Sequence, residues 1–229
     1  MSQKLTILFD LDGTLVNTAP DLMNAHNYVM KKYGYDQREL TDIKKLAGRG
    51  SRVMLTRSMH EMAELSGKIK KTDDLIESMT KEFIEYYSKN IVKESTLKKG
   101  VLDFLDWCKK NSISMGVCTN KQEKLSIDLL KKIKIYDYFD YVSGGDTFDH
   151  NKPDPKHLID TLEIIGGDIK KTLMIGDSET DANASKAGNI PFILIDDGYT
   201  EMKSNQIYHD HLVKDFIGIE KIIEKYLHD

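Results

Sequence analysis

Two aspartates lie two residues apart in the segment 9–15, whose sequence is FDLDGTL. Asp10 directly follows an apolar run, and Gly13 directly follows Asp12. Neighbouring carboxylates can divide the work of a hydrolysis, because one can stay ionised as a nucleophile while the other carries a proton. A capping aspartate followed by a turn would produce the same pattern, so the pair alone leaves both interpretations open.

Three later segments carry groups that suit a phosphate or a cation. Residues 118–121 (CTNK) offer a hydroxyl, an amide and backbone N–H groups that can hold a phosphate. Lys152 precedes Pro153, and the restricted backbone there suits a lysine that directs its charge at an anion. Asp177 and Asp181 lie four residues apart, and their oxygens suit Mg²⁺. Taken singly, these segments can also be helix caps and solvated turns.

Short apolar runs that precede most of these segments predict the elements that position them. The predicted strands are residues 6–9, 112–117, 172–175 and 192–195, and the predicted helices are residues 121–133, 155–165, 180–187 and 216–227. Strands that alternate with helices indicate a parallel sheet with helices on both faces. We therefore expect an α/β, doubly wound, Rossmann-like core with its site beyond the carboxyl ends of the strands.

A long stretch between the first two predicted strands interrupts this alternation. Residues 18–90 show helical periodicity and no strand-like run, and the stretch is too long for an ordinary crossover. We predict an α/β core made of residues 1–16 and 92–229, with residues 17–91 inserted as a helical cap domain. The apolar stripe rich in methionine and tyrosine in this insert is expected to be core packing.

The composition excludes several classes of protein. Hydrophobic residues make up 40% of the 229, which is too many for a disordered chain. A net charge of −4 without a basic tract argues against a nucleic-acid partner. No apolar run approaches the roughly 20 residues of a membrane span, so no membrane partner is expected. The first five residues carry no signal-peptide pattern, and there are only two cysteines, so we expect a cytoplasmic location.

Together, the four polar segments resemble the four signature motifs of the haloacid dehalogenase-like hydrolase superfamily, in the same order. The resemblance covers nearly the whole chain, and the helical insert resembles the helical cap of that superfamily. Three segments are similar to those of phosphoglycolate phosphatases, namely residues 12–22 (DGTLVNTAPDL), 144–146 (GGD) and 197–199 (DGY). One departure is residues 149–152 (DHNK), which lack the doubled lysine that is common in close relatives.

The resemblance implies a role for each motif residue. It makes Asp10 the nucleophile and a Mg²⁺ ligand, and Asp12 the acid/base whose backbone carbonyl also binds Mg²⁺. The residues that it implies hold the phosphoryl oxygens are Thr119, Asn120 and Lys152. Asp177 is implied to bind Mg²⁺, with Asp181 supporting the ion directly or through water.

Residues 46–52 (LAGRGSR) resemble the substrate-specificity loop of this cap type. Arg49 and Arg52 are therefore candidates for binding the far end of the substrate, since a guanidinium can hold a carboxylate or a phosphate with two hydrogen bonds. Each can also be an ordinary solvated arginine at a helix start. An arginine that does bind the substrate would suit the carboxylate of phosphoglycolate or the second phosphate of a sugar-phosphate mutase's substrate.

The sequence thus predicts a Mg²⁺-dependent phosphatase that acts on a small phosphate monoester through an aspartyl phosphate, with 2-phosphoglycolate as the first-choice substrate. The alternatives are another sugar-phosphate phosphatase, a pyrophosphatase or a β-phosphoglucomutase-like isomerase of the same superfamily. A more distant alternative is a phospho-accepting signalling module, against which the insert and Asp12 argue. The sequence leaves the oligomeric state open.

Overall fold

The computed structural model describes residues 4–66 and 73–227 of the chain. The strands are β1 (Thr6–Phe9), β2 (Val16–Asn17), β3 (Thr96–Leu97), β4 (Ser114–Cys118), β5 (Tyr141–Ser143), β6 (Thr172–Gly176), β7 (Phe192–Ile195) and β8 (His211–Val213). The helices are α1 (Ala19–Lys32), α2 (Leu40–Leu46), α3 (Ser51–Ser66), α4 (Asp73–Lys89), α5 (Val101–Lys110), α6 (Glu123–Lys132), α7 (Lys156–Ile165), α8 (Glu179–Ala187) and α9 (Glu220–Leu227).

Six strands form one parallel sheet in the order β5-β4-β1-β6-β7-β8. Strand β1 is central, with β4 on one side and β6 on the other. Its side chains alternate between the two faces: Ile7 and Phe9 join one buried apolar cluster and Leu8 joins the other. Burial on both faces explains the uninterrupted apolar run in the sequence, and the predicted α/β fold is confirmed.

The helical insert, named here for residues 19–89, contains α1 to α4. It follows the short strand β2, which pairs antiparallel with β3 just after the insert. Helices α1 and α4 pack on each other, as do α3 and α4, and the buried side chains of α4 include Phe83 and Tyr87. The predicted cap boundaries at 17 and 91 stay a prediction, and residues 1–3, 67–72 and 228–229 of the predicted domains lie outside the described residues.

Ion pairs join the insert to the segment that follows β7. Lys44 Nζ lies 3.2 Å from Asp197 Oδ2, and Arg57 pairs with Glu201. These contacts connect the insert with loops at the carboxyl edge of the sheet, where the predicted site residues lie. None of the helices in the described part of the chain has the length and apolarity that crossing a membrane requires.

The structure corrects one predicted element at the C-terminus. The helix predicted for residues 216–227 begins only at Glu220, because Gly218 adopts a left-handed φ of 78° that interrupts a helical backbone. Phe216 and Ile219 are nonetheless buried, so the apolar pattern reported burial correctly although the first residues are not helical.

Candidate active site

A cavity of about 370 Å³ lies between the carboxyl edge of the sheet and the helical insert. From the core, Asp10, Asp12, Thr119 and Asn120 line it, together with Lys121, while the insert contributes residues 47–54 and part of α4. A space of this size suits a small molecule, and it opens where ligands bind in open α/β sheets.

Three carboxylates at the edge of the cavity form a compact acidic cluster. Asp10 follows β1 directly, Asp177 follows β6 directly, and Asp181 lies in the first turn of α8. Each offers an oxygen within 4.8 Å of the others, and all three residues are buried. Since β1 and β6 are hydrogen-bonded neighbours in register, their ends bring Asp10 and Asp177 together.

Burial, together with the neighbouring carboxylates, raises the pKa values of Asp10 and Asp177. Burial raises the pKa of Asp10 to about 6, with the charge of Asp181 adding to the rise and Lys152 opposing it. Burial, followed by the charge of Asp10, also raises the pKa of Asp177 well above its ordinary value. A divalent cation would relieve this repulsion, and hard oxygen ligands are those that Mg²⁺ prefers, so the cluster could hold such an ion.

Asp177 is fixed by two hydrogen bonds from opposite sides. Thr14 Oγ1 donates to Asp177 Oδ1 at 2.6 Å, and the Tyr199 backbone N–H donates to Oδ2 at 2.6 Å. Gly13 makes this approach possible, because it has φ of 90° and a Cβ there would lie 2.3 Å from Asp177 Oδ2. The glycine after Asp12 is therefore needed for both its backbone conformation and the space beside Asp177.

Lys152 lies between two of the carboxylates. Its Nζ donates to Asp10 Oδ1 at 2.8 Å and to Asp181 Oδ1 at 2.6 Å. Burial lowers the pKa of Lys152, but the charges of Asp10 and Asp181 outweigh that effect and raise it. The lysine is therefore positively charged at neutral pH, with its ammonium group against Asp10.

Asp12 has different partners from Asp10, although only Leu11 separates them. Thr18 Oγ1 donates to Asp12 Oδ1 at 2.6 Å, and Lys121 Nζ lies 3.0 Å and 2.9 Å from its two oxygens. Its side-chain oxygens are absent from the acidic cluster found among the described residues. The two aspartates therefore occupy distinct environments on one cavity, as separate chemical roles would require.

The predicted phosphate-binding residues lie beside the cluster. Thr119 is buried at the end of β4, where its backbone N–H donates to Ser143 O at 3.0 Å. Asn120 Nδ2 donates to Lys152 O at 2.9 Å, and its Oδ1 is buried without a hydrogen-bond partner. The hydrogen bond from Asn120 thus connects the end of β4 to the backbone of the loop that carries Lys152.

The two arginines from the insert line the cavity but have carboxylate partners elsewhere. Arg49 Nη2 donates to Glu179 Oε1 at 3.0 Å, and its side chain is 50% exposed. Arg52 Nη2 lies 3.8 Å from Asp73 Oδ1, and its side chain is 55% exposed. The structure therefore places both candidates at the cavity, in a solvated outer position.

Sequence reasoning included Lys121 in the segment 118–121 but gave its side chain no role, and it did not place Tyr87 at the site. Lys121 directly follows Thr119 and Asn120 at a strand end, and this position was the signal that could have found it. Tyr87 belongs to the apolar stripe of α4 that was expected to be core, and it is indeed buried. Its hydroxyl nevertheless lies 2.9 Å from Lys121 Nζ, a contact between residues 34 positions apart that periodicity does not indicate.

The geometry of two strand-end aspartates, a buried lysine and an acidic cluster accords with one known family. The family model described as haloacid dehalogenase-like hydrolase matches residues 7–195, which is most of the chain and includes all four motifs. The chain is a haloacid dehalogenase-like hydrolase. The predicted family is thereby confirmed.

Two curated relatives of this hydrolase are named phosphoglycolate phosphatase. A phosphoglycolate phosphatase of Agrobacterium fabrum is 34% identical over 223 residues, which cover 95% of this chain and 94% of the relative. Another from Mesorhizobium japonicum is 36% identical over 195 residues, covering 85% and 84% of the two chains. A crystal structure described as a predicted phosphoglycolate phosphatase from Haemophilus somnus has a TM-score of 0.91 at 28% identity, covering 97% and 99%.

Proposed function

We propose that this hydrolase is a Mg²⁺-dependent phosphatase that converts 2-phosphoglycolate to glycolate and phosphate. The names of the curated relatives at 34% and 36% identity support the substrate. The observation that carries the reaction type is the placement of Asp10 and Asp12 on one cavity with different partners. Asp10 pairs with the buried Lys152, whereas Asp12 pairs with Lys121 and Thr18.

Asp10 is the proposed nucleophile. It lies at the rigid end of the central strand, where its backbone N–H donates to Ile175 O at 2.9 Å. One carboxylate oxygen would attack phosphorus while the ester oxygen leaves, which forms an acyl phosphate on Asp10. Lys152, Thr119 and Asn120 would hold the phosphoryl oxygens, since phosphoryl transfer depends mainly on positioning and charge stabilisation.

Asp12 is the proposed acid and base. In the first step it would give a proton to the leaving ester oxygen, and in the second it would take one from the water that attacks the acyl phosphate. The hydrogen bonds from Thr18 and Lys121 fix its carboxylate on the cavity wall. The second step returns Asp10 and Asp12 to their starting states.

Mg²⁺ fits the acidic cluster by ligand type, burial and repulsion among its members. Asp10, Asp177 and Asp181 would hold the ion, with the backbone carbonyl of Asp12 as a further proposed ligand. When bound, Mg²⁺ supplies positive charge against the phosphoryl oxygens. The hydrogen bonds from Thr14 and Tyr199 keep Asp177 oriented for this role.

We further propose that residues 17–91 act as the cap domain that covers the substrate, with Arg49 and Arg52 contributing to recognition. Both arginines belong to the insert and line the cavity. Their half-exposed side chains support a contact with the non-reacting end of a small ester. The insert would then choose among substrates while the core performs the common chemistry.

Phosphate release tests this proposal. Purified protein is assayed with 2-phosphoglycolate, a sugar phosphate, a nucleoside monophosphate, pyrophosphate and para-nitrophenyl phosphate, with and without EDTA. We expect the highest kcat/KM for 2-phosphoglycolate, loss of turnover in EDTA and recovery with added Mg²⁺. Preference for another ester would overturn the substrate assignment alone, whereas failure to hydrolyse all of them would overturn the phosphatase assignment.

A further inference from the structure

Lys121 is a buried cation to which the proposed mechanism gives no direct contact with the substrate. Among the lysines and arginines that the structure describes, only Lys121 and Lys152 are buried. Lys152 lies between Asp181 and the proposed nucleophile, Asp10. Lys121 lies on the wall of the same cavity, beside Asp12.

The ammonium group of Lys121 contacts one residue of the core and one residue of the insert. Both oxygens of Asp12 lie within 3.0 Å of Nζ on the core side. On the insert side, the hydroxyl of Tyr87 lies 2.9 Å from Nζ, and the centre of the tyrosine ring lies 4.4 Å away. Burying a lysine carries a large desolvation cost, and a charge held in this way at a cavity wall is poised to meet an anion.

We propose that Lys121 binds the carboxylate of the substrate, so that the enzyme selects phosphate monoesters with a carboxylate one carbon from the ester oxygen. This inference rests on the proposed function and adds the group that recognises the substrate class. The compact ammonium of lysine can lie between two carboxylates, in this case Asp12 and the substrate.

The short distance between the ester oxygen and the carboxylate of 2-phosphoglycolate supports this assignment. Asp12 must come within hydrogen-bond distance of the ester oxygen to protonate it. In 2-phosphoglycolate a single methylene carbon separates that oxygen from the carboxylate carbon, so ester and carboxylate oxygens lie about 3 Å apart. Lys121 Nζ lies 2.9 Å from Asp12 Oδ2, and therefore within reach of a carboxylate bound there.

The arginines of the insert are less suited to the main contact. The side chains of Arg49 and Arg52 are half-exposed, whereas Lys121 is buried. Solvent weakens the attraction between an exposed arginine and a carboxylate, whereas burial of Lys121 reduces this screening. Lys121 should therefore discriminate for the carboxylate more strongly than Arg52.

A pair of substrates that differ only in charge tests the assignment. The kcat/KM values of wild type, Lys121→Gln and Lys121→Arg are measured for 2-phosphoglycolate and for the phosphate ester of glycolamide, its neutral analogue. Lys121→Gln should lower the preference for the carboxylate by about 10- to 100-fold, the effect of one charge-assisted hydrogen bond. Lys121→Arg should keep part of that preference, because the positive charge remains.

Equal losses on the two esters would overturn the inference, since Lys121 would then only orient Asp12. Unchanged rates on both would overturn it as well. Lys124→Gln is the matched control, because Lys124 is exposed on the first turn of α6 and should leave the preference unaltered. If wild type hydrolyses neither ester, the proposed function itself fails, and this outcome is distinct from a wild type that hydrolyses both without preference.

Tyr87→Phe provides a second route if Lys121→Gln does not fold. The change removes the hydroxyl that holds Lys121 and leaves the buried ring in place. We expect a smaller but selective loss, about 3- to 10-fold on 2-phosphoglycolate relative to the glycolamide ester, because the charge of Lys121 and the tyrosine ring both remain. An equal effect of Tyr87→Phe on both esters would contradict the assignment.

Discussion

The two walls of the cavity are built differently. On the core wall, Asp10 and the neighbouring Lys152, Asp177 and Asp181 are between 1% and 8% exposed, and their oxygens and ammonium group are hydrogen-bonded to one another or to nearby backbone. On the insert wall, the side chains of Arg49 and Arg52 are at least half exposed. Both walls face the same space, so the difference reflects the elements that carry the residues.

This difference separates chemistry from selection. Asp10 and Asp177 follow neighbouring parallel strands, Asp181 lies in the first turn of α8, and Lys152 lies in the turn before α7. All four are buried, so water is largely excluded from them. Prearranged charges in such a place have their strongest effect on a transition state. The arginines follow the glycines of residues 48–50, in a loop and helix start that can change without disturbing the sheet.

The largest effect should follow from removing the nucleophile on the core wall. Asp10→Asn replaces the attacking oxygen by an amide, so turnover should fall on the order of 10⁴-fold or more on every ester. Phosphate release measures the loss, and Asp149→Asn, an exposed aspartate, is the control. Normal turnover by Asp10→Asn would show that the core wall does not perform the chemistry.

Asp12→Asn should cause the next largest loss, and one that depends on the leaving group. General acid–base catalysis contributes on the order of 10²–10⁴-fold, so alkyl esters should be hydrolysed much more slowly. Para-nitrophenyl phosphate needs little protonation, and its first step should survive better than the second. Acid quench and mass spectrometry should then detect phosphate on Asp10, whereas phosphate on another residue would refute the division of roles.

Inside the insert, His26 should make folding stability depend on pH. Burial lowers the pKa of His26 to about 4, and its ring contacts Ser58 Oγ at 3.0 Å and Asn27 Oδ1 at 3.1 Å, with Arg38 nearby. Because the folded pKa lies below the unfolded value of 6.5, its contribution is present above pH 6.5 and is lost as pH falls towards 4. The loss should reach about 3 kcal/mol.

Denaturant unfolding between pH 7 and pH 4 measures this effect. Wild type should lose its stability advantage over His26→Gln as the pH falls, whereas His60→Gln, at an exposed position on α3, should behave like wild type. A constant difference between wild type and His26→Gln would mean that His26 does not titrate on unfolding. The expected pH dependence would show that His26 is well buried inside the insert, although the arginines of the insert that line the cavity are exposed.

The smallest predicted effect belongs to the insert wall itself. Arg52→Ala should lower kcat/KM for 2-phosphoglycolate about 10-fold more than for para-nitrophenyl phosphate, or about 1.4 kcal/mol, at the low end for a charge-assisted contact because the side chain is exposed. Arg49→Ala should have less effect, since Arg49 pairs with Glu179. Equal losses of kcat/KM on both substrates would mean that Arg52 has a structural role. Recognition of the carboxylate would then depend on residues of the core wall alone.

Strands buried on both faces were predictable, because a short uninterrupted apolar run such as residues 6–9 is typical of a parallel strand covered by helices on each side. The short edge strands β5 and β8 were not predicted, since three residues carry too little pattern. In the insert, α2 was not predicted separately, because a seven-residue helix with two buried side chains has almost no periodic signal. Periodicity in a sequence can be recognised only over longer segments. Short elements such as these form because neighbouring elements pack against them.

The sequence by itself determined the order of the motifs, and through the alternation of strands and helices it determined that Asp10 and Asp177 meet at one edge of a sheet. Only the tertiary structure decided which charges pair there. Asp12 and Lys121 are 109 residues apart, Lys121 and Tyr87 are 34 apart, and the arginines of the insert turn to Glu179 and Asp73. Local periodicity reports which face of an element is buried, whereas the partner of a buried charge depends on how distant elements pack, since each such charge must find a counter-charge once water is removed.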